Sequence, residues 1–377
     1  MDYPTLRVIW WLLMGILLIG FMIYDGFDLG SVALMPWVGR TDIERRVIIN
    51  AVGPVWEGNQ VWFVLGGGVF FAAWPYLYST AFSGFYFAML LVLLTFIMRP
   101  VGFKYRSKLP HTLWRSTWDR ILSTAAIVVS LLFGVAVGNV LMGVPFHFDP
   151  SLRVFYTGSF WALLRGFPVL CGILSLCLFL MHGAAYLLVK TEGDVWRRAR
   201  IAAMWAAVGV GVCFAIGGLW VVHLPGYQLA SMMDPAGPSN PLHKTVVLQM
   251  GAWLHNYTVH PLWRFVPALG FFGALGVVVS AWLKGEKWVF MLSALSITGV
   301  ISTVGVSMFP FIMPSSSHPS MSLMVWDASA SQHSLTLMLW ATLIFLPIVL
   351  AYTSWVYRVM RGKVTADEVE RHSGTLY

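Results

Sequence analysis

"VIWWLLMGILLIGFMIYDGFDLG", residues 8–30, decides how this chain is read. Seventeen uncharged, mostly apolar residues run from Val8 to Tyr24. Asp25 and Asp28 then appear where lipid should still surround the helix. About 20 apolar residues cross a bilayer core, and a bare carboxylate near its centre costs about 2.5–3.5 kcal/mol on insertion scales. Two such acids need partners, a function, or both.

The rest of the chain has the same character. Of 377 residues, 58% are hydrophobic and 11% charged, the composition of a membrane protein with room for many spans. The net charge of +8 does not argue for nucleic acid, because the cations sit in short loops between apolar runs. Cys171, Cys177 and Cys213 lie in apolar runs, with neither CxxC nor zinc spacing, and read as inert buried thiols. The start, MDYPTLR, has no clear basic n-region, and no Ala-x-Ala site follows the apolar run. The first segment therefore reads as a retained span.

Nine segments read as transmembrane helices, at about 8–35, 50–74, 79–98, 119–142, 163–189, 201–223, 262–283, 288–310 and 335–358. The fold class is all-α: a polytopic helical bundle forming one transmembrane domain over residues 1–377. Pro54 and Glu57 interrupt the second segment. With nine spans and the N-terminus outside, all but five of the 24 Lys and Arg fall on the inner side; the five are Arg7, Arg153, Arg165, Lys244 and Arg264. Dropping the second span would weaken that split to 17 against 7. The longest non-helical stretches, about 143–162, 224–261 and 311–334, fall outside. Trp10, Trp11, Trp37, Trp74, Trp282 and Trp288 lie near helix ends, as interfacial belts require.

The charges within the spans converge in depth. Asp25 lies about 27 Å along the first helix from Arg7, in the inner half, and Asp28 shares its face three residues on. The second helix enters near Asn50, which puts Glu57 about 10 Å deep. The third reaches the inner boundary at Arg99. Consecutive helices usually pack side by side, and ionisable groups usually face the bundle interior or water. Two readings follow: a polar cluster that carries protons, or a salt-bridge knot pinning helix ends. One Arg neutralises one carboxylate well, so the remaining acids must be protonated, hydrated or both. The expected pair is Arg99 with Asp28, the shallower acid of its helix. That leaves Asp25 and Glu57 as the inner mouth of a proton route, with Asn59 and Gln60 adding hydrogen-bonding capacity.

Haem or copper ligands at depth are scarce. Most of the ten His fall in loops, tails or helix ends, His372 among them. Only His182 lies well inside a span, where a lone His is more often a hydrogen-bonded core residue than a ligand. No Walker loop, GxGxxG fingerprint or nucleophile elbow is present.

Several stretches are similar to one family: "IWWLLMGILLIGFMIYDGFDLG", "ERRVIINAVGPVWEGNQVWFVLGGGVFFAAWP", "AFSGFYFAMLLVLLTFIMRPVGFKYRSK", "FGVAVGNVLMGVPF", "GPSNPL", "MFPFIMPSS" and "SLMVWDASASQHSLTLML". In this order they resemble subunit II of the cytochrome bd quinol oxidases, from about residue 2 to Tyr377. "GNQVW" resembles the bd type proper more than the cyanide-insensitive branch. The resemblance implies a complex of the bacterial inner membrane that oxidises quinol, reduces dioxygen to water, and builds proton-motive force without pumping. It implies two haem b and one haem d held by a partner, subunit I, and no haem ligated by this chain. It also allows a bound structural quinone and a small single-helix accessory subunit. Subunit II stabilises the complex and offers proton and oxygen routes toward haem d. Asp25 and Glu57 stand where the family places proton-pathway carboxylates, with Asp28 beside them, and Trp62 stands near the proposed oxygen path. Val55 departs from the pattern, since relatives often carry a polar residue there; His182 matches no family feature. The N-terminus is expected in the periplasm and the C-terminus in the cytoplasm. The competing reading is a proton-coupled transporter, which also needs buried acids on several helices, but no repeat marks two related halves.

Overall fold

Helix α1 (Tyr3–Val38) starts at a capped end: the Asp2 side chain accepts from the Thr5 backbone, and Pro4 fills the first turn, where no N–H is needed. Its 36 residues rise about 54 Å, more than a bilayer core, and place Asp25 and Asp28 well inside the bundle. The structure, a computed structural model, describes residues 1–371; His372 lies outside the described residues.

The chain continues through α2 (Asp42–Val52), α3 (Trp56–Ala73), α4 (Pro75–Gly84), α5 (Tyr86–Tyr105) and α6 (Thr112–Met142). A hairpin of β1 (Phe146–Phe148) and β2 (Val154–Tyr156) leads to α7 (Gly166–Lys190) and α8 (Gly193–Val221). A second hairpin, β3 (Pro225–Leu229) with β4 (Val246–Met250), and the one-turn α9 (His255–Val259) lead to α10 (Phe265–Trp282) and α11 (Glu286–Met308). Strands β5 (Phe311–Met313) and β6 (Leu323–Met324) precede α12 (Gln332–Val359) and the short α13 (Ala366–Arg371). All three strand pairs are antiparallel.

Among the described residues, eight helices are long and apolar enough to cross a membrane, and the broken pair α3–α4 raises the number to nine. Glu57, Asn59 and Gln60 in its first turns lower the apolarity of α3. It nevertheless runs between the two ends of the bundle. The Ala73 carbonyl accepts from Ala330, and Trp74 packs with Leu6 and Trp10 near the start of α1. At the opposite end, Trp56 meets Phe103 edge-on at 5.5 Å. Helix α4 bends away by 119°. The expected third span at 79–98 therefore begins instead at Tyr86, since residues 75–84 form α4, and α5 runs on to Tyr105.

The three long non-helical stretches are not simple loops. Their hairpins build an apolar cap over the N-terminal end of α1, with Phe146, Phe148, Leu163 and Leu323 buried around Leu6 and Trp10. Arg7 is fully buried there; it donates to Ser329 Oγ (2.8 Å), the Gly237 carbonyl (3.1 Å) and Ser239 Oγ (2.9 Å). Lys244 pairs with Asp327 at 2.6 Å, both buried. Trp10 and Trp74 belong to this core and not to an interfacial belt, whereas Trp37, Trp282 and Trp288 are exposed as expected.

Helix α1 packs against α3, α6, α7 and α11. Against α7 the two backbones touch: a Cβ on Gly30 would lie 1.9 Å from the Phe179 carbonyl oxygen, and one on Gly183 would lie 2.3 Å from the Gly30 carbonyl carbon. Only glycine permits this approach, a common device between membrane helices. The far end of the bundle, rich in Arg and Lys, is tied by α2. Thr41 and Glu44 form a reciprocal capping box, and α2 exchanges ion pairs with its neighbours: Asp42 with Arg106 (2.9 Å) and Arg115 (2.7 Å), and Arg45 with Asp119 (2.9 Å). Glu44 also pairs with Arg198. The three cysteines are unpaired and half-buried, less enclosed than the sequence suggested.

Candidate functional site

Asp25 and Asp28, one helical turn apart on α1, are both fully buried. Arg99 of α5 grips Asp25 with two bonds, Nη1 to Oδ1 at 2.6 Å and Nη2 to Oδ2 at 3.0 Å. This is the bidentate geometry that a guanidinium offers a carboxylate. The rings of Phe96 and Trp56 flank the guanidinium carbon at 5.2 and 5.9 Å. The expected Arg99–Asp28 pair is thus overturned. Arg99 is not at a helix end: α5 continues six residues to Tyr105, about 9 Å, so Arg99 lies level with the deeper acid.

Asp28 has a different environment. Asn59 Nδ2 donates to its Oδ2 at 2.8 Å, while Oδ1 is buried without a partner. The Asn59 carbonyl in turn accepts from the Tyr357 hydroxyl of α12 at 2.6 Å. Aromatic side chains wall the site: Phe27 stacks on Tyr186 at 3.9 Å and meets Tyr357 edge-on at 6.4 Å. The Tyr186 hydroxyl donates to the Ala51 carbonyl at 2.9 Å. Beside Arg99, between Leu29, Thr95, Phe96 and Leu122, lies a void of about 10 Å³, close to the room one water needs.

Glu57 does not join this cluster. Positions 57 and 59 differ by about 200° around a helix, so with Asn59 turned toward α1, Glu57 faces outward. It is exposed, and neither it nor the half-buried Gln60 has a side-chain hydrogen bond among the described residues. The expected crowded pair of Asp25 and Glu57 is therefore absent; Asp25 has its own cation. Trp62 shares the inward face with Asn59. Its indole stacks on Tyr24 with centroids 5.1 Å apart and lies flat on Gly20, where a Cβ would come within 2.5 Å. His182 is a hydrogen-bonded core residue. Its Nε2 donates to the Ile23 carbonyl at 2.9 Å, Nδ1 faces the Ser293 hydroxyl at 2.7 Å, and the ring stacks on Phe290.

Two participants escaped sequence reasoning, Tyr186 and Tyr357. Each sits near the end of an apolar run, where tyrosine also occurs as an interfacial anchor, so composition offers no signal. Chemically, the site is one neutralised carboxylate and one spare. Asp28 has a donor on one oxygen and none on the other, an arrangement that can hold a proton or a water on the free oxygen.

The family model for cytochrome bd terminal oxidase subunit II matches residues 6–360. The chain is 46% identical over 377 residues to cytochrome bd-I ubiquinol oxidase subunit 2 of Escherichia coli, covering all of both chains. It is 29% identical over 364 residues to cytochrome bd ubiquinol oxidase subunit 2 of Bacillus subtilis, covering 97% of this chain and 98% of that one. In fold it is similar to a chain of the bd oxidase of Geobacillus thermodenitrificans, with a TM-score of 0.68 at 12% identity, over 96% of this chain and 99% of that chain. With the family model spanning nearly the whole length and the fold in agreement, the chain belongs to the cytochrome bd terminal oxidase subunit II family.

Proposed function

We propose that this chain guides protons from the cytoplasm toward the oxygen-reducing haem of its complex. It is a subunit of a bd-type quinol oxidase, a multi-pass membrane protein of a haem-containing terminal oxidase. The observation that carries the proton reading is the unequal treatment of two buried acids by a single cation. A structural knot needs one carboxylate for one guanidinium, and Asp25 with Arg99 meets that need. Asp28 is then surplus as a structural element, and burying it is costly unless it is used.

In this reading protons enter at the basic end, which faces the cytoplasm, with the N-terminus in the periplasm. They pass by Asp28 and the Asp25–Arg99 pair and leave through Glu57. On the bare chain Glu57 would face lipid; a partner over α3 would cover it. Subunit I is assigned to that side. Adjacent α12 has Leu335 alone buried, and exposes Trp340, Phe345, Ile348 and Trp355. Trp62, in the α1–α3 seam, is placed beside the oxygen path.

No haem iron is assigned to this chain in this reading: His182, the histidine that lies deep in a span, has both ring nitrogens engaged, with the Ile23 carbonyl and the Ser293 hydroxyl. The two haem b and the haem d are assigned to subunit I, with quinol and dioxygen as substrates of the whole complex. A structural quinone and a small accessory subunit remain part of the proposal by family likeness alone. The transporter reading has no observation in its favour.

The experiment is turnover per haem in Glu57→Gln. Both residues are similar in size, so the haem spectrum should persist while oxygen consumption falls. Normal turnover in a fully assembled Glu57→Gln complex would remove Glu57 from the route.

A further inference from the structure

Tyr357, from the last spanning helix and 298 positions from Asn59 in sequence, hydrogen-bonds to neither acid yet holds the amide that donates to Asp28. We infer that Tyr357 is a positioning residue for Asp28, acting through Asn59 to fix which carboxyl oxygen exchanges the proton. The inference rests on Asp28 being the proton-carrying acid.

A side-chain amide has a donor end and an acceptor end, and nothing intrinsic fixes which way it points. Tyr357 carries one O–H, spent on Asn59 Oδ1 at 2.6 Å. That bond turns Asn59 Nδ2 toward α1, where it donates to Asp28 Oδ2 at 2.8 Å. Oδ2 is thereby occupied by a donor and is the poorer place for a proton. Oδ1, buried and without a partner, is left as the exchanging oxygen.

Without the hydroxyl, the amide can turn over. Its oxygen would then face Oδ2, and the carboxyl could relieve the clash of two acceptors only by holding a proton there and donating it to Asn59. The proton would sit on the wrong oxygen, in a hydrogen bond that hinders release. Tyr357 thus selects the free-oxygen arrangement in both protonation states of Asp28. The other titratable or charged groups facing Asp28 are Asp25 on its own helix, Arg99 on α5 and Tyr186 on α7, with Tyr24 beside Tyr357. Each except Tyr24 is committed to a partner already described. Tyr357 is half-buried in the last turn of α12, so the chain Tyr357–Asn59–Asp28 also joins the surface of the basic end to the buried acid.

Tyr357→Phe in the intact complex tests this, since it keeps the ring and removes only the hydroxyl. Turnover per haem should fall roughly tenfold, about 1.4 kcal/mol, the worth of one hydrogen bond. Infrared difference spectra should show the protonated carboxyl C=O band of Asp28 shifted to higher frequency, because its carbonyl oxygen is then Oδ1, which has no donor, instead of Oδ2, which accepts from Asn59. A packing role would not move that band. Asn59→Leu should lower turnover as well, and Tyr357→Phe added to it should cost nothing further; this pair also answers the question if Tyr357→Phe alone assembles poorly. Two results overturn the inference. If Asp28→Asn lowers turnover while Tyr357→Phe leaves turnover and band unchanged, the positioning role fails alone. If Asp28→Asn is itself silent, the proton reading fails and this inference with it.

Discussion

Replacing Arg99 by Leu should be among the most damaging single changes in the spanning helices. Asp25 is fully buried and takes both of its ionic hydrogen bonds, at 2.6 and 3.0 Å, from Arg99. Removing one partner of a buried pair leaves a stranded charge and costs about 3–5 kcal/mol. Replacing both by apolar residues removes the desolvation cost along with the attraction, and is often close to neutral. The Asp25→Leu/Arg99→Leu double variant should therefore be more stable than Arg99→Leu alone by most of that amount. The assay is the temperature at which the haem spectrum collapses in the purified complex, with haem per protein as the measure of assembly. The partner assignment is tested in the same series. If Arg99 belonged to Asp28, then Asp28→Leu would rescue Arg99→Leu and Asp25→Leu would not. That result, or destabilisation by the double variant equal to the sum of the singles, would refute the reasoning.

Other outcomes follow from separate parts of the fold. Gly30→Val should prevent assembly or cost at least about 3 kcal/mol, the upper end for overpacking, because the added atoms meet Phe179 backbone that cannot move aside as a side chain can; a normally assembled Gly30→Val complex would disprove the close α1–α7 contact. A cysteine at Thr41, an exposed position beside the basic cluster, should be labelled by a membrane-impermeant reagent only from the cytoplasmic side, and labelling from the periplasm would reverse the topology. Burial raises the Glu44 carboxyl, but the Arg198 side chain and the Thr41 and Arg40 backbone outweigh it and hold the group below its ordinary value of 4.5. A carboxyl lowered in the folded state stabilises above its ordinary value and loses that contribution as pH falls through its lower folded value. The stability difference between wild type and Glu44→Gln should therefore be present at pH 7 and shrink below 4.5; a difference independent of pH would contradict the Arg198 pairing.

The spans were legible because hydropathy over about 20 residues is a strong signal, and the positive charges gathered at one end. The end of the second span at Trp74 was legible too; the second break, at Phe85, was not, because residues 75–98 carry no charge and a bent helix reads like a straight one. That error moved the end of the third span and, with it, the depth of Arg99, which is why the ion pair was assigned to the wrong aspartate. The outward turn of Glu57 follows from helical phase once Asn59 is known to face inward, yet the phase itself depends on α1 being its neighbour. Trp10 and Trp74 read as belt residues because the cap of hairpins that buries them is assembled from stretches hundreds of positions apart. Tyr357 was invisible for the same reason: a single hydroxyl meeting a distant amide leaves no periodicity.

The central claim, that Asp28 carries protons, is tested most directly by time-resolved voltage measurement on vesicles containing the fully haem-loaded Asp28→Asn complex. Asn keeps the size of the side chain and its contact with the Asn59 amide but cannot exchange a proton. The account predicts a normal haem spectrum, electron transfer from quinol little changed, and an electrogenic phase of oxygen reduction slowed at least tenfold. An electrogenic phase of normal rate and amplitude would contradict it, and would leave Asp28 as part of a structural knot with the proton route in subunit I.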